Sequence, residues 1–83
     1  MEYCVYILYS DRLGKYYVGQ TGDLSKRLVR HNSGRVRFTR KGVPWALIHS
    51  ESCDSRSAAM GLEKRIKNLG ARRYLGSLGR ESG

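Results

Sequence analysis

The length and charge of the chain restrict it to one small basic domain. Its 83 residues suffice for a single domain over 1–83, and 40% hydrophobic against 28% charged residues favour a globular fold over a disordered chain. The net charge of +9, from 16 Lys and Arg against 7 Asp and Glu, favours nucleic acid as the partner ahead of an anionic membrane surface.

Short-range patterns argue against two classes of protein. The longest apolar run covers residues 3–9, whereas a helix that spans a bilayer needs about 20 residues. Because no basic segment precedes that run, we expect a soluble cytoplasmic protein with no membrane partner. Cys4 and Cys53 form no Cys-x-x-Cys pair, which argues against a structural zinc site. Two reduced thiols are the simpler expectation, and a disulfide between them stays open.

The first part of the chain predicts a β-hairpin followed by a helix. Residues 3–9 are apolar on both alternating faces, which is typical of a central strand covered on both sides. A polar turn separates this strand from a second one at 16–20. A helix capped by Thr21 or Asp23 then extends to residues 32–34.

The remainder predicts one more strand and two more helices. The basic segment 35–42 lacks periodicity and is predicted to be a loop, and a third strand covers 45–50. The next helix is capped by Asp54 or Ser55 and ends at Gly70. Its apolar positions recur every three or four residues: Ala59, Leu62, Ile66 and Leu69.

A short last helix is predicted over 71–78, so the core spans about 3–78 and the polar tail 79–83 is expected to fray. The resulting ββαβαα order predicts an α+β fold, with a small antiparallel sheet flanked by helices.

The register of the hairpin decides whether two tyrosines meet. If Tyr9 pairs with Tyr16, Tyr6 lies opposite Gly19 and diagonal to Tyr17. Gly19 then leaves a hollow beside Tyr6. A shift of one residue would separate the tyrosines, since it moves one of them to the other face.

The two longer helices carry polar residues at the edge of their apolar faces. Arg27 and His31 are four residues apart, within the arc of the apolar Leu24 and Leu28. They are either site residues or a snorkelling Arg beside a half-buried His. Glu63 lies among cations on the second helix, either as a salt-bridge partner or as a carboxylate ligand for Mg²⁺.

Together these residue types suit phosphodiester cleavage. The reaction needs a base for water, a cation near the phosphate, and a metal ion for the leaving oxygen. Because tyrosine has an unperturbed pKa near 10, a tyrosine base needs a positive neighbour that favours phenolate. Arg27 is the candidate, either in that role or as a bidentate clamp on the phosphate.

The ordered set resembles the GIY-YIG nuclease superfamily over residues 3–73. The resemblance is closest to the small bacterial proteins of the excision-nuclease-subunit-like group, which also includes the structure-specific endonuclease subunit of eukaryotes. Cys4 stands where the name-giving glycine would be, and Val18 replaces isoleucine. The matching residues are Val5-Tyr6, Tyr17-Val18-Gly19, Arg27 with Leu24 and Leu28, His31-Asn32-Ser33-Gly34, Thr39, Pro44-Trp45 and Glu63.

This resemblance implies a three-stranded antiparallel sheet with a central first strand, and DNA endonuclease chemistry that depends on a single Mg²⁺ or Mn²⁺ ion. By motif position, Glu63 corresponds to the metal ligand and Arg27 to the phosphate-stabilising arginine. Tyr6 and Tyr17 correspond to a pair of which one activates or positions water, and which one does so stays open. His31 matches a position that assists the site in some members.

Further basic residues favour a nucleic-acid groove, because their cations can contact phosphates. They are Arg35, Arg37, Arg40, Lys41, Lys64, Lys67, Arg72 and Arg73. Phe38 or Tyr74, interleaved with these cations, could stack on an unpaired base. The alternative is a solvated basic face with the aromatics turned into the core. Trp45 is expected in the core, and His49 is expected to be a strand residue without a catalytic role.

The leading hypothesis is a metal-dependent endonuclease that hydrolyses DNA, on branched or damaged substrates. The first alternative is a non-catalytic nucleic-acid-binding module on the same fold. The second is a catalytic subunit that requires a protein partner for its substrate specificity. RNA stays open as the nucleic acid, because charge does not distinguish the two backbones, and a monomer is assumed.

Overall fold

The computed structural model describes residues 2–81 as a three-stranded sheet with three α-helices. A short 3-10 turn, Arg40–Gly42, interrupts the segment predicted as a loop. This architecture confirms the predicted α+β fold and its element order. The strands are β1 (Tyr3–Ser10), β2 (Lys15–Thr21) and β3 (Ala46–Cys53), and the helices are α1 (Leu24–Asn32), α2 (Arg56–Leu69) and α3 (Ala71–Glu81).

The sheet is antiparallel with the strand order β2-β1-β3, so β1 is the central strand, as predicted. In the hairpin, Tyr9 pairs with Tyr16, and Tyr6 therefore lies opposite Gly19. This is the register on which the tyrosine pairing depends, and Tyr17 lies opposite Leu8.

The side chains of β1 alternate between two hydrophobic cores, one on each face of the sheet. Val5 and Ile7 point to the face covered by α2 and α3, where Ile66 and Tyr74 are buried. Tyr6 and Leu8 point to the other face; the buried Trp45 and two α1 residues, Leu24 and Leu28, pack there. Burying each large apolar side chain contributes roughly 1.5–3 kcal/mol, so both faces hold the sheet in place.

The helix ends resolve the alternatives that the sequence left open. Asp23 caps α1, because its side chain accepts a 3.1 Å hydrogen bond from the Lys26 N–H. Ser55 caps α2 in the same way. Gly70 ends α2 with φ 99°, a conformation that favours glycine.

Several element boundaries, and one buried position, differ from the prediction. β3 begins one residue later and continues three residues further, because its polar end still pairs with the start of β1. The last helix continues to Glu81, so part of the tail predicted to fray is helical, and 82–83 lie outside the described residues. Leu69 is 41% exposed rather than buried, at the last turn of α2.

Within residues 2–81, no helix has both the length and the apolarity to cross a membrane. Cys4 and Cys53 are both free thiols. Burial, reinforced by the neighbouring Cys53, raises the pKa of the Cys4 thiol.

Candidate active site

The two tyrosines of the hairpin meet on one face of the sheet. The ring centroids of Tyr6 and Tyr17 are 6.3 Å apart. The Tyr6 ring extends over Gly19, where an added Cβ would lie 2.5 Å from the Tyr6 hydroxyl. The hollow left by Gly19 is thus filled by the end of the Tyr6 side chain.

A buried hydrogen-bonded chain connects Tyr6 to the segment between α1 and β3. The Tyr6 hydroxyl and His31 Nε2 share a hydrogen bond of 3.0 Å, and His31 Nδ1 lies 2.9 Å from Thr39 Oγ1. The Thr39 carbonyl in turn accepts a 2.6 Å hydrogen bond from Trp45 Nε1. His31 is 1% exposed and Thr39 is fully buried, so the His31 side chain lies deeper than the half-buried alternative.

Burial keeps both members of the Tyr6–His31 pair neutral. Burial, reinforced by Tyr17, raises the pKa of Tyr6, and the opposing charge of Arg27 is too weak to reverse this. Burial, together with Arg27 and Arg30, lowers the pKa of His31. Arg27 thus favours a Tyr6 phenolate, as expected, but desolvation outweighs the attraction of the guanidinium and leaves the Tyr6 hydroxyl protonated.

The two charged candidates come from opposite faces of the sheet. Arg27 is half-buried on α1, and Glu63 belongs to α2 on the other face. The charges of both residues act on the Tyr6 hydroxyl, Arg27 lowering its pKa and Glu63 raising it. Glu63 lines a cleft of about 450 Å³ with Gln20 of β2, the edge strand that also carries Gly19 and Tyr17. Arg27 and Glu63 therefore act on Tyr6 from opposite faces of the sheet, next to the edge strand that carries Tyr17.

The carboxylate donors restrict which metal ion this edge could hold. Among residues 2–78, whose side chains the structure describes, no three His, Cys, Asp or Glu side chains converge. A single carboxylate, Glu63, fits Mg²⁺, which keeps several waters and is often bound through one or two carboxylates plus substrate phosphates. Glu63 accepts a 2.6 Å hydrogen bond from Lys67 Nζ, one turn further along α2. The salt-bridge reading of Glu63 thus holds in this structure, and a bound cation would have to displace Lys67.

Asn32 connects the end of α1 to Trp45, just before β3, and so closes the loop between these two elements. Its side-chain amide donates to the Trp45 carbonyl at 3.1 Å, and its Oδ1 accepts from the Trp45 N–H at 2.6 Å. Sequence reasoning included Asn32 and Thr39 only as members of the resembling set and assigned a role to neither.

The predicted basic residues are all exposed, and they fall in separate groups. Arg35, Arg37, Arg40 and Lys41 lie in the segment after α1. Lys64 and Lys67 line the cleft of Glu63. Lys67 and Arg72 line a second cleft of about 430 Å³ against Tyr16 and Tyr17. Arg73 lies beside Arg72 on α3.

The two aromatics proposed for stacking have different environments. Phe38 is 88% exposed, whereas Tyr74 is 6% exposed and packs in the core with Ile66. Stacking by Tyr74 is therefore wrong, because its ring faces the sheet and its hydroxyl donates to Glu51. Trp45 is buried, as predicted.

A second polar cluster lies on β3, away from the tyrosine pair. His49 Nε2 is 2.9 Å from Glu51 Oε2, which also accepts from the Tyr74 hydroxyl. Burial alone would raise the pKa of Glu51, but the hydrogen bonds from Tyr74 and His49 outweigh it and lower that pKa. His49 is a strand residue that contacts a structural carboxylate.

Comparisons with known proteins show to which family the chain and its fold belong. The family model of the GIY-YIG catalytic domain matches residues 2–75. A UPF0213 protein of Halobacterium salinarum is 47% identical over 57 residues, which cover 68% of this chain and 74% of that protein. UPF0213 proteins of Bacillus velezensis and Streptococcus pneumoniae are 44% and 40% identical, over 64% and 68% of this chain. The chain spans only a little over half of those two relatives, at 54% and 58% of their length.

The fold has a similar solved structure as well. The solution NMR structure of a UPF0213 protein from Bacillus halodurans matches with a TM-score of 0.59 and 31% sequence identity, covering 100% of this chain and 88% of that one. The agreement of family model, relatives and fold shows that the chain belongs to the GIY-YIG catalytic-domain family.

Proposed function

We propose that this protein is an endonuclease that hydrolyses DNA phosphodiester bonds with the help of a single Mg²⁺ or Mn²⁺ ion. One observation carries the proposal. Tyr6 contacts both Tyr17 and His31, and the charges of Arg27 and Glu63 act on its hydroxyl, although these five residues come from four different elements. This set supplies the base, cation and metal ligand that the reaction needs.

Glu63 would hold the metal ion, with waters and a DNA phosphate completing its coordination. When bound, the ion supplies positive charge that stabilises the phosphate and the leaving oxygen in the transition state. Lys67, displaced from Glu63, becomes available to a neighbouring phosphate in the same cleft. Arg27 clamps the phosphate under attack, since a guanidinium can donate to two phosphate oxygens.

The difference in burial between Tyr6 and Tyr17 supports different roles for the two tyrosines. Tyr6 is 1% exposed, so its hydroxyl has little access to water, whereas Tyr17 is half-buried. This difference supports assigning contact with the attacking water to Tyr17. Tyr6, held by His31, positions the Tyr17 ring; Tyr17 also packs edge-on against His31, with 4.9 Å between ring centroids.

The exposed cations support DNA as the substrate. Lys64 and Lys67 line one cleft, and Lys67 and Arg72 line the other, so these cations can contact the phosphates of a DNA backbone in both. Branched or damaged DNA is the proposed substrate, and a protein partner that selects among such structures is compatible with the small size of the chain.

A non-catalytic nucleic-acid-binding module is the second candidate. The ion pair between Glu63 and Lys67 favours it, because the only carboxylate of the cleft is already neutralised. A surface pair within one helix contributes about 0.3–0.5 kcal/mol, which a divalent cation can readily outweigh. The ion pair is therefore a weak argument against metal binding.

The test is cleavage of end-labelled linear, single-stranded, flapped and four-way-junction DNA with Mg²⁺ or Mn²⁺. Wild type and the control Asp54→Asn, which removes an exposed carboxylate outside the cleft of Glu63, should cleave with equal rates. Glu63→Gln should bind DNA as tightly as wild type but lose cleavage by at least about a hundredfold. Equal cleavage by Glu63→Gln would refute the metal-ligand role. Binding without cleavage by wild type would favour the binding module, unless added cell extract restores turnover.

A further inference from the structure

Phe38 is the most exposed large apolar side chain of the described residues. It is 88% exposed, against 71% for Val29, the next in order. Leaving a phenyl ring in water forgoes roughly 1.5–3 kcal/mol of burial free energy. A single exposed apolar side chain is common on protein surfaces, so the residues around Phe38 decide what the ring can bind.

The backbone that carries Phe38 is fixed on both sides. The N–H groups of Thr39 and Arg40 both donate to the Val36 carbonyl, at 3.1 and 2.9 Å. The next side chain, Thr39, is fully buried against His31. Adjacent Cα atoms are about 3.8 Å apart. Phe38 is therefore the direct neighbour of Thr39, where the hydrogen-bonded chain from Tyr6 through His31 ends.

The surroundings of Phe38 select the chemistry of the partner. No acidic residue occurs between Asp23 and Glu51. The cations that flank Phe38 in the sequence, two before it and two after it, are all exposed: Arg35, Arg37, Arg40 and Lys41. An apolar protein surface would gain nothing from these charges, whereas a nucleic acid offers phosphates to the cations and a base to the ring.

We propose that Phe38 stacks on an unpaired base of the DNA, next to the phosphate that is bound at the tyrosine pair. The inference rests on the proposed nuclease function and adds its substrate class: DNA with at least one base out of the helical stack. In fully paired duplex the bases are stacked on one another, and the ring has no exposed base face to cover. Phe38 thereby makes the site selective for locally unpaired DNA.

Binding without metal tests this proposal separately from cleavage. Fluorescence anisotropy in EDTA would compare a labelled duplex with the same duplex carrying one unpaired adenine. Phe38→Ala and Phe38→Leu should each weaken binding to the DNA with the unpaired base by at least about fivefold, and Phe38→Trp should stay within about twofold, because base–aromatic stacking requires a ring. Binding to the paired duplex should change by less than about twofold in all three.

The control Val29→Ala removes an exposed apolar side chain from α1 and should change neither affinity. The proposal is overturned if Phe38→Ala leaves binding to the unpaired-base DNA unchanged, if Phe38→Leu binds as wild type, or if both DNAs lose affinity equally. The last result would mean a general contact without base stacking. Failure of the nuclease function is distinguishable, since it would appear as selective binding by wild type without cleavage in Mg²⁺.

Discussion

Gly19→Ala is the smallest change that acts directly on the tyrosine pair. The new Cβ would lie 2.5 Å from the Tyr6 hydroxyl and 2.6 Å from Tyr6 Cζ, distances that force the ring to move. Tyr6 is fully packed and bonded to His31, so the shift lengthens or breaks that 3.0 Å hydrogen bond. Overpacking of this kind typically costs about 1–3 kcal/mol.

For 83 residues, the entropy of unfolding is about 0.17 kcal/mol/K at the midpoint, so this cost lowers Tm by about 6–17 °C. Thermal unfolding followed by circular dichroism measures the shift. Gly76→Ala is the matched control, because its Cβ meets no atom within 4 Å on a helix. It should leave Tm unchanged or raise it, since Ala favours helix over Gly by about 1 kcal/mol.

The same variant should lose DNA cleavage in step with the displaced ring. A Gly19→Ala protein that unfolds within about 2 °C of wild type would refute the reasoning. The result would mean that Tyr6 can leave its place at no cost, and hence that the hydrogen-bonded chain behind it does not fix its position.

Three more outcomes are expected from the same chain of contacts. Because the folded state lowers the pKa of His31, its stabilising neutral form is fully present above the unfolded pKa of about 6.5. The free energy of unfolding should therefore fall as pH decreases below that value, and urea titrations should show a smaller fall in His31→Gln. Thr39→Val should lower stability by about 1–3 kcal/mol by leaving the buried His31 Nδ1 without its partner, and Thr39→Ser should restore most of it. Asn32→Ala should shift the emission of Trp45, the single tryptophan, to longer wavelength as the loop opens, whereas an unshifted spectrum would contradict the bracing role of Asn32.

The hairpin and its tyrosine pair could be predicted because a strand has a period of two. One assumption, that Tyr9 pairs with Tyr16, placed Tyr6 opposite Gly19, and the observed register agrees. Helix caps and stops were also predictable, because Gly70 and a polar residue before α2 are local signals of where a helix ends and begins. The approach of Glu63 to the tyrosines rested on resemblance alone, because no local pattern connects α2 to the far face of the sheet.

The segment between α1 and β3 shows where sequence reasoning ends. Phe38 and Thr39 are neighbours, yet one is 88% exposed and the other fully buried. An irregular turn has no period from which this alternation could be computed, and a threonine in a basic stretch resembles any solvated residue. Only the long-range contacts of Thr39 with His31 and Trp45 decide its burial. Tyr74 was ambiguous for the same reason, since its burial depends on how α3 docks on the sheet.

The polar chain behind Tyr6 is costly to maintain, and its completeness indicates why it is present. A phenol, an imidazole and a hydroxyl occupy the interior of one face, where apolar side chains would need no partners. Among the side chains described in residues 2–78, no buried nitrogen or oxygen lacks a hydrogen bond. The opposite face, built on Val5 and Ile7, is covered mainly by apolar side chains, with the Tyr74 hydroxyl bonded to Glu51. What the polar groups behind Tyr6 supply is a fixed position for Tyr6 and for Thr39, the neighbour of Phe38, and that geometry is the reason that fits their presence.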